Sequence, residues 1–236
     1  MNAPDISRTA RQRARQEITS EVLDTARQHL ARDGGIALSL RAVARDLGMS
    51  SSAIYRYVPT RDALLTLLIV DAYSNLGAAA EKAERSVSRP ERLERFLAIA
   101  NAMRTWALNN PHEHALIFGA PVPGYAAPAA TAAPASRIPA LLLAILDDTA
   151  KAHPRRANPA AKPALAASIS PLREVTGTAL SDDLLLRGLC AWCGMFGAVS
   201  LEVFGHIHNV VAEGAKARSI YFDHQMRTLA ESLHLE

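Results

Sequence analysis

The sequence predicts an all-α protein, with a small three-helix bundle at the N-terminal end and a larger helical domain behind it. Three observations predict it. Alanine and leucine dominate while aromatic residues reach only 5%, a balance that favours helix. Apolar residues recur at helical spacing through most of the chain, with glycine or proline where each run stops. No stretch alternates apolar and polar residues as a half-buried strand would, and no internal repeat is visible.

Residues 1–13 read as a flexible basic arm. From Ala14 to about Asp33, Ile18, Val22, Ala26 and Leu30 form one stripe that Gly34 and Gly35 end. Ser39 suits the cap of a second helix, where Leu40, Val43, Ala44 and Leu47 fall at i, i+3, i+4 and i+7. Gly48 stops that helix and Ser50 suits the cap of a third, carrying Ile54, Tyr55 and Tyr57 up to Pro59. Thr60 and Asp62 open a fourth helix that runs to about Arg85.

Ser88 and Glu91 form a capping box around Pro90. The helix behind it has the stripe Leu93, Phe96, Leu97, Ala100, Met103 and Ala107, and Asn110-Pro111 closes it. Residues 119–136 hold four prolines and read as loop. A short helix spans Arg137 to Lys151, a break covers 153–163, and a helical stretch follows near Ala164–Thr178. The longest apolar helix starts at Ser181 or Asp182 and runs to about Asn209. It carries Gly188, Gly194, Gly197 and Gly205, each costing roughly 1 kcal/mol against alanine, so close helix approach is expected to compensate. A last helix spans about Ala217 to Leu233.

Charge is distributed unevenly. Residues 1–61 hold ten arginines and six acids, a balance of +4, against −1 for the remainder. That is how a polyanion-binding module is built. The N-terminus lacks the apolar core of a signal peptide. No stretch reads as long and charge-free enough to span a bilayer, so no membrane partner and a cytoplasmic location are expected. The sequence offers no GxSxG, GxGxxG or P-loop, which argues against an enzyme and against a bound cofactor.

The second and third helices, joined by a tight turn, fit a helix-turn-helix. Small Ala44 suits the crossing of the two, and the third helix must enter a groove about 12 Å wide, so its outer face should be small or polar. Ser50, Ser51, Ser52 and Ala53 meet that requirement. Tyr55, Arg56 and Tyr57 offer donors to bases or phosphates, Arg61 sits where it reaches the backbone, and Ser39 and Arg41 flank the second helix. Arg8, Arg11, Arg13 and Arg15 on the arm offer further phosphate or minor-groove contacts. On spacing alone, a structural bundle in which the tyrosines pack and the serines cap stays open.

The stretch ALSLRAVARDLGMSSSAIYRYVPTRDALL (37–65) closely resembles the DNA-binding domain of TetR/AcrR-family regulators. Val43, Ala44, Leu47-Gly48-Met49-Ser50, Tyr55, Tyr57, Arg61 and Leu64-Leu65 carry the likeness. Val58 for the usual phenylalanine, Pro59, and arginine for lysine at 61 depart from it. AWCGMFGAVSLEVFGH (191–206) and PHEHALIFGAPVPGYAAP (111–128) are similar to a subgroup with a tryptophan-histidine-glycine signature. Trp192 and Gly197 match it, whereas Phe196 stands where the histidine would be, so histidine-dependent effector chemistry is not carried over.

The resemblance implies a helix-turn-helix domain over 14–61 and a helical effector-binding and dimerisation domain over 62–236. It implies a homodimer formed through helices 182–209 and 217–233, placing its two third helices on a palindromic operator in double-stranded DNA. The expected function is sequence-specific transcriptional regulation, as a repressor that a small apolar or amphipathic effector releases. Met103, Trp106, Phe118, Tyr125, Trp192, Met195, Phe196 and Phe204 are the candidates for an apolar effector pocket between helices, with ordinary core packing as the alternative for each.

Cys190 and Cys193 form a CxxC, but no second CxxC supplies the other two ligands of a zinc site, so they read as buried small hydrophobes. His112/His114 and His206/His208 are spaced i, i+2, which on a helix points them to different faces, so no metal site is expected. Two other readings remain at this level. One keeps the DNA domain but gives the C-terminal domain a partner-binding or constitutive role. The other is an all-helical ligand-binding protein or enzyme whose N-terminal bundle is structural.

Overall fold

Capping and helix-ending residues divide the described residues, 6–152 and 163–235 of a computed structural model, into twelve α-helices. They are α1 (Ile6–Asp33), α2 (Leu40–Asp46), α3 (Ser51–Ile54), α4 (Arg61–Arg85), α5 (Arg92–Asn109) and α6 (Pro111–Phe118), then α7 (Ala132–Ala135), α8 (Arg137–Ala152), α9 (Pro163–Ser168), α10 (Ser170–Thr176), α11 (Asp182–Val203) and α12 (Ala215–Ser232). Two 3-10 turns, Gly35–Ala37 and Ala129–Thr131, complete the elements, with no strand among the described residues. The break expected over 153–163 lies, apart from Pro163, outside the described residues.

Several boundaries differ from expectation for local reasons. α1 begins at Ile6, so residues 6–13 are its first turns and not a flexible arm. Nothing between Ser7 and Ala14 breaks a helix, and alanine, arginine and glutamine favour one. Asn110-Pro111 ends α5 but also starts α6, because proline fits the first turn of a helix, where its missing N–H has no partner to lose. α11 stops at Val203 and not near Asn209. Gly205 adopts φ 79°, His206 N–H reaches Leu201 C=O at 2.8 Å and Gly205 N–H reaches Glu202 C=O at 3.1 Å, which is a Schellman ending.

The chain forms two compact units, one of residues up to Asn75 with Asn110–Ala135, the other of Leu76–Asn109 with Ser136–Glu236. α4 is continuous through the division. The first unit is thus larger than a domain drawn over 14–61, because the start of α4, α6 and the segment behind α6 all belong to it. Its core is Val22 and Ala26 of α1, Val43 and Ala44 of α2, Ile54 of α3, and Leu64, Leu65 and Leu68 of α4. Val58, at the position where the family prefers phenylalanine, is fully buried in that core.

The second unit packs α5, α8, α11 and α12 together. Phe96, Ile99 and Met103, Ile145, Leu185 and Met195, and Phe222 and Met226 are buried in it. The glycines of α11 are compensated at two points. A Cβ on Gly188 would fall 2.5 Å from Leu146, and one on Gly194 2.8 Å from Leu229, so both mark close approach of neighbouring helices. A Cβ on Gly197 would meet nothing within 4 Å, so no such contact explains it. Cys190 and Cys193 are exposed, not buried, because α11 turns the face that bears them outward.

Contrary to expectation, two helices, Arg61–Arg85 and Asp182–Val203, are long and apolar enough by length and composition to cross a bilayer. Their apolar residues instead serve protein packing: Leu64, Leu65, Leu68, Ala72 and Leu76 of α4 are buried, as are Leu184, Leu185, Met195 and Val199 of α11. Each helix also carries an ion-paired carboxylate, Asp71 with Arg27 and Glu202 with Arg104.

α6 brings two ionisable side chains into the first unit. Glu113 meets the Arg27 guanidinium at 2.8 Å, and Arg27 also pairs with Asp71 and Asp24. Burial nevertheless raises the Glu113 carboxyl above its ordinary range. His114 is fully buried, and that burial pushes its pKa down to about 4. The unfolded chain binds a proton at this histidine near pH 6.5, whereas the folded chain resists until about 4. Stability should therefore fall as pH drops through this window, by on the order of 3 kcal/mol. Glu113 works in the opposite sense, since a raised carboxyl favours the folded state on acidification. Urea unfolding from pH 7 to 4 tests this: His114→Gln should flatten the slope, and an unchanged slope would assign it to other groups.

Candidate nucleic-acid interface and effector cavity

The turn between α2 and α3 is set by backbone geometry. Gly48 adopts φ 65°, Met49 N–H reaches Ala44 C=O at 2.8 Å and Gly48 N–H reaches Arg45 C=O at 3.0 Å. Only glycine takes this left-handed position without strain. Two residues on, Ser50 caps α3, its hydroxyl accepting from Ala53 N–H at 3.2 Å. Ile54 anchors the helix in the core, so Ser51 and Ser52 face solvent, as do Tyr55 and Arg56 just behind them. A short helix held from beneath and polar on its outer end is the shape a major groove admits.

The predicted contact residues divide into groups. Ser50, Ser51, Ser52, Tyr55 and Arg56 share the exposed surface, and Ala53 is half-buried. Tyr57 is half-buried against the core, so its ring packs there. Ser39 precedes α2 but makes no side-chain cap bond. Arg41 is exposed on α2. Arg13 and Arg15 lie on the exposed start of α1, and Arg15 reaches Arg56 C=O at 3.4 Å. The side chains of Arg8 and Arg11 lie outside the described residues. Arg45 was missed: it is exposed one turn beyond Arg41 on α2, and the i, i+4 spacing was there to be read.

Arg61, expected to contact a phosphate, is bonded within the chain. Its guanidinium donates to Leu38 C=O at 3.1 Å, Gly35 C=O at 2.9 Å and Ile36 C=O at 3.0 Å. It thereby clamps the segment leading into α2 onto the start of α4. Arg61→Ala should cost about 2 kcal/mol, in the range of hydrogen bonds to charged groups. Arg61→Lys should recover less than half, because an ammonium cannot span three carbonyls as a planar fork does. Urea melts of the two variants check this, and a loss under 0.5 kcal/mol, roughly the floor for one such bond, would contradict it.

In the second unit, α8, α10 and α11 line an apolar cavity of about 180 Å³ that is open to solvent on one side. Leu142, Leu143 and Leu146 face Leu172 and Leu185 across it, and Trp192 closes one side. Of the eight predicted pocket residues, Trp192 lines this cavity. Phe196 stacks beside it with ring centroids 6.5 Å apart. Met103, Trp106 and Met195 are buried in the core, and Phe204 is exposed past the end of α11. Phe118 and Tyr125 belong to the first unit, where Phe118 meets Tyr73 edge-on and Tyr125 shares a 2.9 Å hydroxyl bond with Thr66. Leucines form most of this cavity's wall.

Among the described residues, no group of three or more histidine, cysteine or acidic side chains is arranged to hold a metal. His114 is buried, and His112, His206 and His208 are exposed.

Residues 22–68, the stretch that builds this surface, match the family described as bacterial regulatory proteins, tetR family. Residues 96–229 match the tetracyclin repressor-like C-terminal domain. The chain belongs to the tetR family. As a tetR-family protein it is a DNA-binding transcriptional regulator. It is 39% identical over 225 residues to the HTH-type transcriptional regulators Mb1846 of Mycobacterium bovis and Rv1816 of Mycobacterium tuberculosis, covering 94% of this chain and 95% of each relative. The crystal structure of the protein SCO4313 superposes with a TM-score of 0.77 at 30% identity, over 93% of this chain and 98% of that one. A Rhodococcus sp. RHA1 protein of unknown function follows with a TM-score of 0.63 at 25% identity, over 90% and 95%.

Proposed function

We propose that this tetR-family regulator is a homodimeric repressor that reads a palindromic operator through α3 and is released from it by a small molecule bound in its second unit. The observation that carries the reading is the outer end of α3: Ser51, Ser52, Tyr55 and Arg56 exposed together, held from beneath by buried Ile54. Arg41 and Arg45, one turn apart on α2, suit phosphates on either side of the groove, and Arg13 on α1 adds positive charge. Such contacts position the domain, while α3 supplies sequence readout.

The dimer reading rests on α11 and α12. Leu201 on α11, Phe204 just past it and Ile220 on α12 are large apolar residues left exposed in a single chain. A two-fold interface covers such residues by pairing the same patch on both copies. The cytoplasm is where such a regulator meets its DNA. Repression follows when the operator overlaps a promoter, and release requires the effector to bind the DNA-free arrangement more tightly.

Sedimentation of the protein with and without operator DNA tests the proposal. Two chains per particle, and two or a multiple of two per duplex, are expected. Leu201→Arg and Ile220→Arg should shift the free protein to monomer and weaken operator binding together. A monomer that binds DNA with unchanged affinity would refute the dimer.

A further inference from the structure

The cavity between α8, α10 and α11 has a chemistry narrow enough to name its ligand class. Its volume is about 180 Å³, slightly above the ~150 Å³ apolar cavity that accommodates benzene. An occupant of about ten non-hydrogen atoms fills that volume. No charged side chain lines it, and an ion brought there would lose its hydration without a counter-charge. The lining offers two polar groups, the Thr176 hydroxyl and the Trp192 indole N–H. Thr176 already gives its proton to Leu172 C=O at 2.8 Å, which leaves its oxygen able to accept one further hydrogen bond.

The α10 wall is firmly attached. Gly177 ends α10 in the left-handed region. The Arg173 guanidinium donates to Thr178 C=O at 3.0 Å and Leu180 C=O at 2.9 Å, and it pairs with Asp182 at the start of α11. Leu172 and Thr176 are thereby held over the cavity by a short, self-braced helix. On the opposite side, Gly188 lets α11 sit against Leu146 without a side chain between them.

We propose that this cavity binds an uncharged, largely hydrocarbon molecule of about ten non-hydrogen atoms, with at most one hydroxyl-type donor, and does not bind carboxylates or phosphorylated compounds. The proposal rests on the effector reading above and adds the chemical class of the effector.

Calorimetric titration of the full chain, without DNA, with 1-naphthol and 1-naphthoate tests it. The two share a ring system and differ in charge at pH 7. 1-Naphthol should bind once per chain, with a Kd below about 100 µM, and should shift the indole N–H resonance of Trp192. 1-Naphthoate should bind at least 30-fold more weakly. Leu172→Trp, which fills the cavity from a half-exposed position, should weaken 1-naphthol at least tenfold while leaving the circular dichroism spectrum unchanged. Absence of 1-naphthol binding, as when a second copy of the chain occupies the mouth, would overturn the proposal. So would equal affinity for the carboxylate, or binding that survives Leu172→Trp. Because DNA is left out, a ligand that binds as described yet fails to release an operator would count against the effector reading alone.

Discussion

Replacing Glu202 by alanine is expected to cost about 3–5 kcal/mol of folding stability, the range for removing one partner of a buried ion pair. Arg104 of α5 forms a two-pronged pair with Glu202 of α11, Nε to Oε2 at 2.6 Å and Nη2 to Oε1 at 2.7 Å. The Glu202 side chain is 3% exposed and that of Arg104 12%. The Arg104 guanidinium also lies 5.3 Å from the ring centroid of Phe222 on α12, so one cation ties three helices of the second unit together. Without Glu202 the guanidinium stays buried with no carboxylate, and little water reaches it. The double variant Arg104→Met, Glu202→Leu should recover most of the loss, because neither charge then needs solvation. Urea unfolding measures both. A loss below 1 kcal/mol for Glu202→Ala would mean that the pair is screened like a surface pair.

Ser51→Glu should reduce operator affinity at least 100-fold, about 2.7 kcal/mol, and leave folding untouched. Position 51 opens α3 and faces solvent. A carboxylate there suits the positive end of the helix, so thermal melts should overlay those of the unsubstituted protein. On DNA the same carboxylate meets phosphates and the base-edge acceptors that dominate the major groove, with which it shares no proton. Ala53→Glu is a poorer probe because that position is half-buried. Fluorescence anisotropy with labelled operator reads the effect. Unchanged affinity would move the reading surface away from α3.

The contrast between these two experiments reflects what the sequence exposes and what it conceals. Signals that act over a few residues were legible. Ser50 before an apolar run and Gly48 after one appear in the structure where spacing placed them, whereas the Ser88–Glu91 box is half-formed: Ser88 N–H meets the Glu91 carboxylate at 3.3 Å, but Glu91 N–H goes to Ser88 C=O and α5 begins only at Arg92. The core of the first unit was likewise written in the stripes of α1, α2 and α4. What depends on tertiary packing was not. Asn110-Pro111 reads equally as a stop and a start, so α6 and its buried Glu113 and His114 went unseen. The bonds of Arg61 to the carbonyls of residues 35–38 went unread because they depend on where that segment returns in space. The cavity was missed for a similar reason. A leucine lining a void and one filling a core look alike in sequence, and only helix placement separates Leu172 from Leu184.

The central claim is that the α3 surface binds a specific DNA sequence, and binding to the DNA flanking the regulator's own gene over a salt series tests it most directly. Saturable binding that a scrambled duplex does not match is predicted, with affinity falling about 10³-fold or more between 50 and 200 mM salt if six or more phosphates are engaged. Ser51→Glu should abolish it. Binding no tighter than to the scrambled duplex at every salt concentration, with genome-wide selection of bound fragments equally empty, would contradict the account.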